Sequence, residues 1–381
     1  MSKGKRQRPG NEYQLRSLDF SQTVLFVHTT QVAVGLFSLP RIVVESAGHS
    51  GWIAVLLNGA FSQIGLLIML LLLRRFRNLS LYEIMRQVLG RWIGSALGLA
   101  FAVYCICVAG MVSRSYVEVV QTWLFPTTNT KMFYVLLIMP ALYCATGGAR
   151  TLGRFAIITF FGTIWMILFL LRPLSMMQTD YLFPLWDSNI PSLAKATWNV
   201  FTANIGFETI MLIYPFIQQK NKALLAASIG NWITTAVYFF TVVIAIGFFG
   251  ESFIQNIMSP TLAMFQVVQI PLLQRIEHIG ISTWSFLAVS TVAVYMWGAG
   301  RFLFEISKWK ESVCISLFIP LLYTVSILPQ DVYLLSKLEQ LINWTGAAMA
   351  FGLPTLLLLV AIIRRKRAED PNQSPAQEGA A

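Results

Sequence analysis

Charge is scarce in this chain: Asp, Glu, Lys and Arg make up 12% of its 381 residues, about half the ~25% of an ordinary soluble domain. With 56% of the residues hydrophobic, the apolar side chains cannot all enter one core and leave a polar shell outside. A soluble enzyme is excluded, and the lipid bilayer becomes the expected partner. Cysteine is sparse too. Cys105, Cys107, Cys144 and Cys314 all lie in apolar segments, where a thiol acts as a small hydrophobe, so no disulfide framework or zinc spacing is present. The three histidines, His28, His49 and His278, are far apart and lack metal-ligand spacing. No glycine loop that could cradle phosphate occurs, so hydrolysis, ATP-driven pumping and a bound cofactor are not expected.

The net charge of +11 does not mark a nucleic-acid protein, because the Lys and Arg residues cluster between apolar runs and not on one basic face. Ten such runs are long enough, or nearly so, to cross a bilayer. They fall near 18–46, 51–73, 94–123, 132–147, 152–172, 196–217, 223–249, 282–304, 312–328 and 338–363. The first follows a basic start without a small-residue cleavage site, so it is expected to be retained. Most Lys and Arg fall on one set of alternate connections, which predicts that both termini face the cytoplasm. The chain then divides into a basic segment 1–17, a membrane domain 18–363 and a polar tail 364–381 with the composition of a disordered segment. An interfacial helix is predicted over 81–92, and a short external helix over 261–273, broken at Pro271.

Interruptions are the informative feature, because backbone in the bilayer must be paired within protein or line a cavity. In the first run, Gly35-Leu36-Phe37-Ser38-Leu39-Pro40 sets a Gly and a helix-breaking Pro near mid-membrane. In the sixth, Asn204-Ile205-Gly206-Phe207-Glu208 sets two polar side chains and a Gly at similar depth. The interrupted helix is the first of each group of five, and five being odd, the halves (18–172 and 196–363) have opposite orientation. Paired breaks in inverted halves point to a midplane site where half-helix N-termini hold an anionic group such as a carboxylate. Glu208 would cost about 3 kcal/mol facing lipid, so it should point inward, either to a ligand or proton or to a structural hydrogen bond on helix one. His28, Gln31, Asn58, Gln63, Tyr104 and Tyr295 are further intramembrane polar residues, more often glue between helices than ligand contacts. Arg41 with Glu45, and Arg114 with Glu118, have the spacing of helical ion pairs. Gly94 and Gly98 have the spacing of a close helix contact.

These residues resemble the B subunits of bacterial spore-germination receptors, the GerAB or GerKB type. The resemblance rests on Gly35-Leu36-Phe37-Ser38-Leu39-Pro40-Arg41, Gly51-Trp52-Ile53, Gly90-Arg91-Trp92-Ile93-Gly94, Gly206-Phe207-Glu208, Tyr214-Pro215, Ser259-Pro260-Thr261-Leu262 and Gln274-Arg275-Ile276-Glu277. It implies an all-α polytopic protein of the amino acid, polyamine and organocation transporter superfamily, with ten transmembrane helices in a LeuT-type 5+5 inverted repeat, broken in helices one and six. It also implies recognition of a small-molecule germinant, commonly an amino acid, in the inner membrane of a spore beside receptor A and C subunits. Carried over residue by residue, the ligand pocket maps to Gly35, Leu36, Phe37 and Ser38 on helix one, Tyr104 on helix three, and Asn204, Ile205, Gly206 and Glu208 on helix six. Proton-coupled relatives carry a lysine on helix five, and none stands there in this sequence. A secondary amino acid permease remains the alternative, since one fold serves both roles.

Overall fold

In the computed structural model, residues 17–268, 275–328 and 332–366 are described. The basic segment before Ser17, the tail after Lys366 and Pro271 lie outside them. The described residues are almost wholly helical, with a lone β-bridge between Leu18 and Ile217.

Helix one comprises two α-helical halves, Phe20–Gln31 and Leu39–Ala47, joined through a 3-10 turn Val34–Phe37. Helix two is Gly51–Arg75, helix three Arg91–Trp123, helix four Thr130–Thr146, and helix five Gly148–Thr163 continued by Ile164–Leu170 and Leu171–Ser175. Helix six begins as Ile190–Asn204 and resumes after a break as short turns over Phe207–Phe216. Helix seven is Ala223–Phe249 and helix eight Ile276–Ser307. Helix nine is Glu311–Ser316 with Ile319–Ile327, and helix ten Val332–Ala347, a π-helical turn Ala348–Gly352, and Leu353–Ile363. Among the described residues, six helical runs are long and apolar enough to cross a membrane by themselves; the interrupted and shorter helices complete the ten.

The first half of helix one starts with a reciprocal cap, in which Gln22 N–H donates to Asp19 Oδ1 and Asp19 N–H to Gln22 Oε1. Two of the N–H groups that every helix start leaves open are thereby used. Leu18 then exchanges backbone hydrogen bonds with Phe216 and Gln218, fastening the start of helix one to the end of helix six. Helix eight runs through the middle, packed on helices one, three, four and five. Arg75, Arg77, Lys220, Arg364 and Lys366 gather at one end of the bundle, where Lys220 Nζ donates to Arg77 O at 2.6 Å and Arg75 Nε to Lys366 O at 2.7 Å.

The amphipathic helix spans Leu81–Leu89 and is capped by Ser80 and Glu83. It sits on the Gly94 and Gly98 face of helix three. A Cβ at Gly94 would lie 2.6 Å from Arg86 Cα, and one at Gly98 2.8 Å from the Tyr82 ring. The helix predicted to be external is Pro260–Gln266. Arg41 and Glu45 pair at 2.5 Å, but Arg114 turns to helix four and donates to the Tyr134 hydroxyl at 3.1 Å, so the expected pairing with Glu118 is replaced by an inter-helix contact.

Close approach without hydrophobic driving force depends on small residues. A Cβ at Gly230 of helix seven would lie 2.5 Å from Val24 O of helix one, whereas one at Gly162 would meet nothing within 4 Å. Gly230→Ala should therefore lower the thermal unfolding midpoint of the detergent-purified protein, the overpacking costing about 1–3 kcal/mol. Gly162→Ala should leave it unchanged or slightly raised.

Candidate functional site between the broken helices

The break in helix one takes in the expected residues 35–38, as a 3-10 turn and the cap of the second half, but it opens upstream of them. The helix ends at Gln31, and Val32 (ψ 84°) and Ala33 (ψ −151°) carry the chain away from helical geometry. Pro40 causes none of this, because it stands in the first turn of the second half, where its missing N–H costs nothing. The break in helix six falls at Ile205 and Gly206, and Gly206 has φ 138°, a conformation open to glycine and strained for other residues. Glycine is needed there for a second reason: a Cβ would lie 2.6 Å from Thr30 O of helix one. The two discontinuities touch each other, backbone against backbone.

Each break frees carbonyl groups. Tyr238 of helix seven places its hydroxyl 2.7 Å from Ala203 O and 3.1 Å from Gln31 O, so one donor serves the ends of both half-helices. Trp284 Nε1 donates to Ala33 O at 3.2 Å, and Thr261 Oγ1 to Leu36 O at 2.8 Å.

Glu208 is buried beside the second break. Its Oε2 accepts from Gly206 N–H at 2.9 Å, and its Oε1 accepts from the Tyr104 hydroxyl at 2.8 Å and the Tyr295 hydroxyl at 2.5 Å. Three neutral donors from helices three, six and eight thus hold a carboxylate inside the bundle. The N–H exposed by the break, the kind of group that could hold an external carboxylate, is engaged by the chain's own.

The residues expected to form one pocket occupy three places. Gly206, Glu208 and Tyr104 form the carboxylate cluster, and Ile205 lies against Gly346, where an added Cβ would also meet the Tyr104 hydroxyl. Asn204 points the other way, into a buried amide network: its Nδ2 donates to Asn58 Oδ1 (2.9 Å) and Ser62 Oγ (2.7 Å), while Gln31 Nε2 donates to Asn204 Oδ1 (3.1 Å) and Asn231 Oδ1 (3.0 Å). Both Gln31 amide hydrogens are used, and Gln31 Oε1 is buried without a partner among the described residues. Gly35 is wedged against Ala203, whose Cβ would be 2.8 Å from an added one, and the Phe37 ring meets that of Trp284 at a tilt, 4.7 Å between centroids. Ser38 Oγ reaches Gly35 O at 3.5 Å, and Leu36 borders a separate cavity.

Tyr295 and Gln31 were visible in the sequence only as isolated polar residues, and Asn231, Ser62 and Tyr238 gave no signal of their own. A Ser, Tyr or Asn inside an apolar run has no periodicity that links it to a break two hundred residues away.

Comparison with known proteins agrees with this architecture. A family model described as "Spore germination protein" matches residues 17–333. The chain is 28% identical over 321 residues to spore germination protein GerQB of Bacillus cereus, which spans 84% of this chain and 87% of that protein. It is 26% identical over 361 residues to spore germination protein YndE of Bacillus subtilis (strain 168), spanning 92% and 97%. Among solved structures, a Na+-coupled sialic acid symporter in a substrate-bound outward-open state aligns with TM-score 0.65 at 17% identity, over 93% of this chain and 82% of that one. MhsT in complex with L-phenylalanine aligns with TM-score 0.63 at 12% identity, over 90% and 88%. The fold is thus the LeuT-type inverted five-helix repeat, broken in helices one and six.

The Tyr238 hydroxyl can be removed alone. Tyr238→Phe should leave two buried carbonyls under-satisfied and lower stability by about 1–3 kcal/mol, measured as an earlier thermal midpoint with far-UV helicity unchanged.

Proposed function

The chain belongs to the spore germination protein family, and from that premise we propose that it is the membrane subunit of a nutrient germinant receptor, binding a small germinant where its two broken helices meet. The observation that carries this reading is the Glu208 cluster, a buried carboxylate fixed at the helix-six break by Gly206 N–H, Tyr104 and Tyr295. A carboxylate inside a membrane bundle is costly and marks a functional site by default. Gly35, Phe37 and Ser38 with Asn204 and Ile205 complete the proposed chamber walls, and Leu36, expected among them, borders the separate cavity instead.

The nutrient is proposed to be an amino acid, with its ammonium group directed to Glu208 or to the open Gln31 Oε1, both acceptors. Docking there would draw Glu208 from Gly206 N–H and free that donor for the ligand's own carboxylate. The ligand would thereby favour one packing of helices one and six over another, which is the only way a ligand moves an equilibrium. The shift would pass to receptor A and C subunits in the spore inner membrane. We place the basic end of the bundle and both termini in the cytoplasm, following the distribution of Lys and Arg, with 1–17, 18–363 and 364–381 as the three segments. The reading is non-enzymatic. The symporter-like fold favours a second one, a permease using the same chamber for alternating access.

In spores whose response to one amino acid depends on this gene, Glu208→Ala, Glu208→Gln and Gly35→Leu should each abolish germination on that nutrient while the protein still accumulates in the membrane. A wild-type response in the Glu208 variants would remove the site, and an unchanged response after deletion of the gene would remove the receptor role. Uptake of the labelled nutrient into proteoliposomes at turnover rates would favour the permease.

A further inference from the structure

A second cavity lies apart from the Glu208 cluster. It is bounded by the outer face of the helix-one break (Val32, Leu36), helix five, helix seven, helix eight and the external helix Pro260–Gln266. The space within it, open mouth included, is about 470 Å³. Its walls are chiefly apolar, with Ile164, Met166, Leu170, Phe265 and Leu287 among them, and no Asp, Glu, Lys or Arg is among the described residues that line it.

The few polar groups in the wall have committed their hydrogens. Thr163 Oγ1 donates to Thr159 O, Thr241 Oγ1 to Val237 O and Thr261 Oγ1 to Leu36 O, each at 2.8 Å. Trp284 Nε1 donates to Ala33 O. His28 is buried, with Nδ1 2.9 Å from Thr234 Oγ1. That hydroxyl gives its own hydrogen to Gly230 O at 3.1 Å, so it accepts from Nδ1–H. In the neutral ring Nε2 is then a lone-pair acceptor, and it has no partner among the described residues. The lumen therefore offers acceptors and no spare donor. An anion finds nothing to bind, and a cation finds no opposite charge to offset its desolvation.

We propose that this cavity is a binding site for a small, uncharged, mainly apolar molecule that carries one hydrogen-bond donor, such as an aliphatic alcohol, with the donor on His28 Nε2. The site is distinct from the chamber proposed for the amino acid, whose ligand is zwitterionic. Helix five supports access: where it borders the cavity it is a seven-residue 3-10 run, Ile164–Leu170, longer than such runs usually are and a common mark of a hinge. Ile167, at the rim, is 39% exposed. Because Thr261 and Trp284, both in the cavity wall, also hold the Leu36 and Ala33 carbonyls of the helix-one break, an occupant would bias that break.

The test is photolabelling of the full-length protein in lipid nanodiscs with a diazirine-bearing octanol, the adducts mapped by mass spectrometry. Saturable adducts on Leu36, Ile164, Met166 or Leu287, competed by excess n-octanol, are expected. Leu287→Trp, which fills the lumen, should reduce them at least about tenfold, and His28→Phe, which keeps a ring but loses the acceptor, about fivefold, the worth of one hydrogen bond. Glu208→Ala should leave labelling intact, which separates this site from the germinant chamber. Adducts confined to lipid-facing residues such as Phe161 and Leu168, adducts that excess octanol does not compete, or equal labelling by the corresponding diazirine-bearing octanoate would each overturn the proposal.

Discussion

A backbone group released from a helix inside the hydrocarbon layer costs several kcal/mol unless protein or trapped water satisfies it. This chain releases such groups at Gln31–Leu36 and at Ala203–Gly206 and brings the two stretches into contact. Everything around them is arranged to meet that demand. Tyr238 reaches the last carbonyl of one half-helix and a carbonyl at the end of the other; Trp284 and Thr261 take those further along helix one. Glu208 takes the Gly206 N–H. The donors come from helices seven and eight and the external helix, so the breaks cannot persist without the whole bundle, and the bundle is held to one register by serving them.

The electrostatics follow from the same arrangement. Glu208 sits among tyrosines and a backbone amide with no counter-charge in hydrogen-bond contact among the described residues, and hydrogen bonds to charged groups are each worth about 1.5–3 kcal/mol. Three of them can hold an ion that lipid would reject. On the opposite side of the break, Gln31, Asn204, Asn231, Asn58 and Ser62 form a neutral amide network. A neutral network fixes geometry at low electrostatic cost, whereas a carboxylate remains responsive to any charge that enters. The two faces of one discontinuity are therefore suited to different tasks, one to fastening and one to sensing.

Much of the fold was legible in the sequence because lipid imposes a length rule. The ten apolar runs correspond to the ten helices, with ends displaced by a few residues, since charge, Gly and Pro mark where a run leaves the bilayer. The inverted relation followed from the breaks falling in the first helix of each five. The register of the first break was less legible. Gly35 and Pro40 drew attention as helix breakers, yet the chain departs from helix at Val32 and Ala33, residues with no such signature. They unwind because Trp284 accepts the geometry and provides the donor, which is tertiary information. The same limit applies to the site: Asn204 and Glu208 are four residues apart and were grouped together, but the turn at Gly206 sends them to opposite sides. Arg114 had the spacing to pair with Glu118 and found Tyr134 on another helix. Spacing ranks only the partners along one helix.

Helix one is consequently the element through which separate sites would communicate. Its interrupted stretch presents Gln31 and Gly35 towards helix six, and Val32 and Leu36 towards the His28 cavity. A continuous helix would transmit a push on one face as a rigid rotation of the whole span. A segment held by individual side-chain donors can exchange one set of partners for another locally, because each carbonyl–donor contact contributes only about 1 kcal/mol net. A few such exchanges amount to the roughly 5 kcal/mol that carries a two-state equilibrium from one state almost wholly to the other. The break thus provides a low-cost switch as well as a binding surface, and the packed helices on either side confine its motion to a small number of arrangements.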